Sequence, residues 1–341
     1  MDLVKKVLEP ERCSGCSACT ISCPYEGILG YRDEKPVLVG ECKLCGICTM
    51  VCHKYAFDRK TIEETFFGRE RLPSERFGVV RKVVVARSKS PEILRSAQDG
   101  GVATTLLVKA LEDGLIDAAL LSGKDSSRPW APKPTIASTR DEIIACSGTR
   151  YSYSPNLITL PEAIKRGFRR IAVVGTPCTI SGVRKMQLLG LKRLMEPVKF
   201  LVGLMCSACF DYSCFMQSKI GSCLNVDPSD VTKVNIKGKV LVDLSDGSRK
   251  QILLEEVGQC ARKSCGACDD FSSEFADISL GGAGLSSSTL AIARSKKGED
   301  LLSRSTELLE VDDSRVEQSL DLVNRLSKAK RQRASNLSTG S

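Results

Sequence analysis

A small α+β domain followed by a larger α/β domain is the fold the sequence predicts. Three observations carry it: two four-cysteine runs near the start, a charged connector after them, and an alternation of strand-like and helix-like stretches beyond. A chain of 341 residues has room for two such units, each with its own core. Apolar residues make up 42%, and Gly and Pro stay at ordinary levels, which excludes a disordered or fibrous chain.

The first unit is defined by its cysteines. Cys13, Cys16, Cys19 and Cys23 recur, at the same spacing, as Cys42, Cys45, Cys48 and Cys52. C-x2-C-x2-C-x3-C written twice is the bacterial ferredoxin pattern for two [4Fe-4S] clusters, so residues 1–60 are expected to form an α+β ferredoxin-like domain of the two-cluster type. Three cysteines of a short loop surround one cubane, and the fourth, on the helical turn that follows, points to the neighbour. Cys13, Cys16, Cys19 and Cys52 are therefore one expected ligand set, and Cys42, Cys45, Cys48 and Cys23 the other. Ser14, Gly15, Ser17, Ala18 and Gly46 are small enough to let backbone N–H groups approach the sulfurs. Structural zinc is the alternative, but zinc sites pair two C-x2-C knuckles across a longer gap. His53, the only histidine, stands where the first run has Pro24. A residue at a helix or turn boundary, tuning the nearby cluster by a hydrogen bond, is a plainer reading than a catalytic base.

Residues 61–78 are charged and contain Gly68, Pro73 and Gly78, the composition of a linker. The larger domain is expected over 79–312. VVRKVVVARS predicts a strand, GGVATTLLVKALEDGLIDAALLSG a helix and a buried strand, and IAVVGTPCTISGVRKMQLLG a strand, a loop and a helix. That alternation is the mark of an α/β domain. Residues 231–247 alternate polar and apolar about Lys237-Gly238, as a half-exposed hairpin would. Residues 313–341 predict a helix packed at the domain edge and a basic tail, with LSKAKRQRAS solvated.

No apolar run approaches the roughly 20 residues that cross a bilayer, and MDLVKKVLEPER lacks the apolar centre of a signal peptide, so a cytoplasmic protein is expected. In that reducing compartment seventeen cysteines are a metal or redox inventory rather than a disulfide framework. The formal charge of +9 raises the question of nucleic acid. Twelve thiolates around three clusters, each cluster with its ligands carrying about −2, would bring it to about +3, and no aromatic stacking motif accompanies the basic residues. Nucleic acid is therefore not an expected partner.

Three stretches of the larger domain carry chemistry. In QDGGVATTLL, residues 98–107, paired glycines precede a helix and offer open N–H groups suited to a pyrophosphate, although such a turn also serves as a plain helix start. In VVGTPC, Cys178 follows an apolar strand, a favoured place for functional groups in open sheets. In ARKSCGACDDFSSEFADISLGGAG, Cys265 and Cys268 form a C-x2-C pair, which reads as half a zinc site, a dithiol or half a cluster.

Together with GTRYSYSP and GLMCSACF, these stretches resemble the family of coenzyme F420 hydrogenase/dehydrogenase beta subunits over residues 79–295. With two ferredoxin-type clusters in front, the chain is most similar to the electron-input subunits of reduced-F420 dehydrogenase complexes. The resemblance implies FAD in the larger domain, coenzyme F420 as substrate and a third [4Fe-4S] cluster. It implies FAD contacts at Gln98, Gly100, Gly101 and Thr104, and further contacts at Thr149, Arg150 and Tyr151, where Arg150 suits a phosphate or the acidic F420 tail. It implies Cys178, Cys206, Cys265 and Cys268 as ligands of the third cluster. Of the spare cysteines Cys146, Cys209, Cys214, Cys223 and Cys260, most are expected to be buried apolar thiols, with Cys209 and Cys260 near enough in sequence to the ligands to substitute.

The function so implied is oxidation of reduced F420 by hydride transfer to FAD, followed by single-electron transfer through the clusters to a partner protein or complex. No catalytic acid or base is expected, and membrane association would come only through that partner. The same domain would also serve as the F420-reactive subunit of a hydrogenase, formate dehydrogenase or sulfite-reducing system. A non-enzymatic ferredoxin relay lacking flavin is the reading from another class.

Overall fold

The computed structural model describes residues 2–338. Its N-terminal part holds two cysteine loops, each running into a one-turn helix: α1 (Ala18–Ile21) and α2 (Ile47–Met50). Between them lies the antiparallel hairpin β1 (Leu29–Arg32) and β2 (Lys35–Leu38). Helix α3 (Arg59–Phe67) follows, started by the Asp58 carboxylate accepting the Thr61 N–H at 3.1 Å and stopped by left-handed Gly68.

The larger part is built on one eight-stranded mixed sheet. In chain order its strands are β3 (Lys82–Ser88), β4 (Ala118–Lys124), β5 (Pro132–Ala137), β6 (Ile171–Gly175) and β7 (Val198–Leu204), then β11 (Ile278–Gly281), β12 (Thr289–Ala293) and β13 (Leu309–Val311). Their spatial order is β13, β3, β12, β11, β7, β6, β4, β5. The four central strands β11, β7, β6 and β4 are parallel. Pro132 and Pro134 sit in edge strand β5, where a missing N–H is tolerated. Strands β8 (Val231–Ile236), β9 (Lys239–Leu244) and β10 (Arg249–Leu253) form a separate antiparallel sheet, with the expected turn at Lys237-Gly238.

Alternation along the central strands sends side chains to two different cores. Ala119, Leu121, Ala172 and Val174 face helices α4 (Val102–Glu112) and α8 (Lys296–Arg304), packing on Leu106 and Leu301. Leu120, Ile171, Val173 and Leu201 face the other way, toward Ile180 and Val183 of α5 (Pro177–Leu188). That second core also contains Cys13, Cys16, Cys19, Cys52 and Ile62 of α3. Each large aliphatic side chain fully buried here stabilises the fold by about 1.5–3 kcal/mol. Ile180→Ala would remove about 2–5 kcal/mol from the shared core. The β8–β10 sheet has its own core, with Phe215, Met216 and Ile220 of α6 (Ser213–Cys223) against Val234, Val240 and Val242.

Three expectations are corrected by this packing. The two parts do not have separate cores, because the first cysteine loop is buried against the large sheet's helices. Residues 61–78 are not a free linker: α3 buries Ile62 and Glu63, and Glu63 binds Arg71, which also pairs with buried Glu274 at 2.6 Å. LSKAKRQRAS is not a solvated tail, since it lies in α9 (Val316–Ser338), where Ser327, Lys330 and Ala334 are buried. The expected tail beyond residue 338 lies outside the described residues. Helix α9 covers the sheet through Val323, beside Val85 and Leu290. Among the described residues no helix is long and apolar enough to cross a membrane.

Candidate redox site

The two cysteine loops have the same local geometry. Gly15 and Leu44, at matching steps, are both left-handed, and each donates its N–H to the sulfur two residues earlier, Cys13 at 3.3 Å and Cys42 at 3.4 Å. Ser17 and Gly46 are the matching left-handed residues that open α1 and α2. A chain turning around a cluster needs these conformations to aim N–H groups inward.

The structure brings Cys13, Cys16, Cys19 and Cys52 into one buried group; burial pushes each thiol pKa up, and for Cys16 and Cys19 their neighbours in the set add to the rise. Cys23, Cys42, Cys45 and Cys48 line one cavity of about 390 Å³. That cavity is rimmed by exposed Leu38, Leu44, Met50 and Tyr55, and Cys45 is itself exposed. Both groupings are the ones the spacing predicts. His53 shares a hydrogen bond of 2.8 Å with Ser14 inside the first loop. Burial, then Lys54 and Lys185, keep its ring neutral by lowering its pKa to about 3.

A third thiol group stands at the C-terminal edge of the parallel strands. Cys178 opens α5 just after β6, with its sulfur 3.1 Å from the Thr176 hydroxyl. Cys206 follows β7, its N–H bonded to Phe271 O at 2.9 Å. Cys265 lies in α7 (Lys263–Gly266), and Cys268 just beyond it. Burial pushes the Cys178 thiol up to about 12, and Cys206, Cys268 and Cys265 add to the rise. Cys209 joins the group: its sulfur is 3.9 Å from Cys206 and its N–H points at the Cys265 sulfur at 3.5 Å. The hydrogen bond shared with Cys209 draws the Cys206 thiol down against its burial, while Cys209 rises. Cys260 and Cys214 instead form a disulfide, which corrects both the reading of Cys260 as a substitute ligand and the expectation of thiols throughout. Cys223, at the end of α6, is exposed and Cys146 is half-buried, so neither is the fully buried thiol expected.

The first and third groups adjoin. One turn after Cys178, Gly182 passes so close to the first loop that a Cβ there would lie 3.0 Å from Ala18 Cβ and 3.4 Å from the Cys16 sulfur. A cleft of about 480 Å³ lined by His53, Cys178, Cys268, Asp270 and Phe275 opens beside them. The loops are tied across by Arg262, which binds Glu34 and stacks 4.4 Å over Tyr153, by Lys185 to Cys52 O at 3.1 Å, and by Lys54 to Ala267 O at 3.2 Å.

Among the described residues no set of three His, Cys, Asp or Glu side chains converges as around a single metal ion. The donor chemistry suits the larger cubane: at least four thiols per group, with backbone N–H groups aimed at sulfur at Cys13, Cys42 and Cys265.

The residues expected around FAD gather nearby, also at the C-terminal edge. Gln98 Oε1 accepts the Thr149 N–H at 3.4 Å, joining the two motifs, and Gln98 Nε2 donates to Val234 O and Asn235 Oδ1. Gly101 is left-handed and begins α4, and Thr104 is buried in its first turn. Gly100 has a packing reason of its own, since a Cβ would sit 2.6 Å from Ala86 O. Arg150 has no carboxylate partner among the described residues; its guanidinium donates to Ser122 O, Cys146 O, Ser147 O and Gly148 O. A half-buried cation held only by backbone carbonyls fits an anionic group. Tyr151 sits edge-on to Phe215, and burial pushes its hydroxyl up to about 12.

Sequence reasoning missed Arg262, Lys185 and Lys330, whose contacts are made with residues remote in the chain. Only Arg262 had a signal, a cation beside the C-x2-C pair.

The N-terminal and C-terminal models of the coenzyme F420 hydrogenase/dehydrogenase beta subunit match residues 83–161 and 168–316. Coenzyme F420 hydrogenase subunit beta of Methanosarcina barkeri is 38% identical over 72% of this chain and 87% of its own length. The coenzyme F420-dependent sulfite reductase of Methanocaldococcus jannaschii is 32% identical over 87% of this chain, which spans 46% of that longer protein. A subunit of the F(420)H(2) dehydrogenase of Methanosarcina mazei is 28% identical over 82% of this chain and 78% of its own length. A chain of the F420-reducing [NiFe] hydrogenase complex from Methanosarcina barkeri superposes with a TM-score of 0.75 at 34% identity, covering 78% of this chain and 94% of that one. With both segments of the family matched in order and the mixed α/β fold shared with that hydrogenase chain, the chain belongs to the family of coenzyme F420 hydrogenase/dehydrogenase beta subunits.

Proposed function

We propose that this oxidoreductase oxidises reduced coenzyme F420 by hydride transfer to FAD and delivers single electrons through three [4Fe-4S] clusters to a partner protein or complex. Bound flavin converts a hydride pair into single electrons, and each cluster takes one at a time. The observation that supports this reading is the adjacency of the thiol groups. The Cys178 group stands at the C-terminal edge of the parallel strands, the Cys16 group is buried against it across Gly182, and the Cys42 group reaches the surface at Cys45. Such an order offers electrons a way out to the surface.

The chain's own residues do the positioning. Gly101 and the start of α4 offer N–H groups to an anionic cofactor, Arg150 supplies a cation, and Tyr151 and Gln98 shape the wall. Arg262 and Lys185 hold the first thiol group against the third. The exposed rim of Leu38, Leu44 and Met50 suits an apolar contact with the partner. On this reading the protein works in the cytoplasm and meets a membrane only through that partner.

A second reading, the F420-reactive subunit of a hydrogenase, formate dehydrogenase or sulfite-reducing system, draws on relatives whose names carry two of those activities. The test is an anaerobic titration of the holoprotein, expected to hold about one FAD and about twelve irons. Reduced F420 should bleach the flavin while NADH does not. Full iron without flavin would leave only the relay reading, and rapid reduction by NADH would remove F420. Co-purification with a hydrogenase or sulfite-reducing subunit would favour the second reading.

A further inference from the structure

We propose that Lys330, on helix α9 beyond the matched family segments, is a positioning residue of the third thiol group that raises the reduction potential of the cluster held there. This rests on the reading of Cys178, Cys206, Cys265 and Cys268 as [4Fe-4S] ligands. Lys330 is 5% exposed, although the family match ends at residue 316 and the sequence around it reads as a basic tail. Its ammonium donates to Cys206 O at 2.6 Å and to Asp270 O at 2.8 Å, joining the segment after β7 to the one after α7. One turn on, Arg333 donates to Cys265 O at 3.2 Å, and Arg331 binds Glu274, so α9 lies as a cover over the group.

The two carbonyls satisfy hydrogen bonds but do not neutralise a buried positive charge. No carboxylate forms an ion pair with Lys330 among the described residues, and the Asp270 carboxylate is engaged by the Glu274 N–H. The bond to Cys206 O seats the buried ammonium beside one of the proposed ligand residues, under the cover that α9 forms. A cluster with four thiolate ligands is anionic and becomes more so on gaining an electron. A fixed cation with little intervening water therefore favours the reduced form. A lysine that only fastened the helix would do so through its two carbonyl bonds and leave the potential alone.

The experiment is a potential-controlled titration of the full-length holoprotein followed by electron paramagnetic resonance, with iron counted in parallel. Lys330→Met keeps the stem and removes the charge. The expected result is a third-cluster midpoint moved to lower potential by at least tenfold in the reduced-to-oxidised ratio, 59 mV for one electron. The other two clusters should not move, and Lys330→Arg should restore most of the shift. An unmoved midpoint in Lys330→Met with the signal intact overturns the proposal. If Lys330→Met loses the signal, Lys330→Gln is titrated in its place, and loss of the signal in Lys330→Arg as well overturns it. Wild-type protein with about eight irons and no third signal would refute the ligand set itself.

Discussion

Gly15 and Leu44 occupy the same step of two cysteine loops, with φ of 73° and 56°, yet one is the smallest residue and the other a large apolar one. Their surroundings account for it. A Cβ at Gly15 would meet the Arg262 guanidinium at 2.3 Å and Glu34 O at 2.4 Å, whereas Leu44 is 74% exposed. The backbone task is common to both loops, and the side chain is chosen by what covers it. One loop is enclosed by the larger domain and the other is open at the surface.

The sharpest way to break the comparison is to exchange the two residues. Gly15→Leu adds left-handed strain of about 1–2 kcal/mol to overpacking of about 1–3 kcal/mol. It should empty the first group, seen as a loss of about four irons and a lower denaturant midpoint. Leu44→Gly should keep all iron and change stability by no more than about 1 kcal/mol. Equal iron loss in both variants would mean that the environments do not differ as described.

Replacing both Cys214 and Cys260 by Ser separates cysteines that hold the chain from cysteines that hold iron. Unfolding stability should fall by about 2–4 kcal/mol while iron content and flavin bleaching stay unchanged. Gly182→Val tests the seam between the first and third groups. Overpacking of about 1–3 kcal/mol against Ala18 and Cys16 should slow electron exit to an external acceptor while reduced F420 still bleaches the flavin. The smallest effect is expected at the exposed tie between Lys263 and Glu11, where the hydrogen bond from Lys263 holds the carboxyl below its usual range. A depressed carboxyl pKa stabilises the fold above the ordinary glutamate range and loses that contribution as pH falls through the lower folded value. The difference in thermal midpoint between wild type and Lys263→Ala should therefore shrink on acidification and in high salt.

Much of the site was legible because it is local. Spacing alone pairs Cys52 with the first loop and Cys23 with the second, and the structure groups them so. The strands around VVGTPC and the helix after QDGG follow from apolar pattern and glycine position. Cys209 was legible only as a neighbour of Cys206, and Cys260 was misread beside it, because which thiol turns inward depends on how the β8–β10 lobe closes.

Local spacing alone determined the two cysteine runs and the strand and helix alternation around QDGG and VVGTPC, since each depends on residues a few positions apart. Only the tertiary structure decided which loop is buried, that Cys214 pairs with Cys260, and that Lys330 reaches the third group from 124 residues beyond Cys206. Those outcomes depend on contacts between distant segments, whose free energy comes from burial and charge pairing that no local spacing encodes.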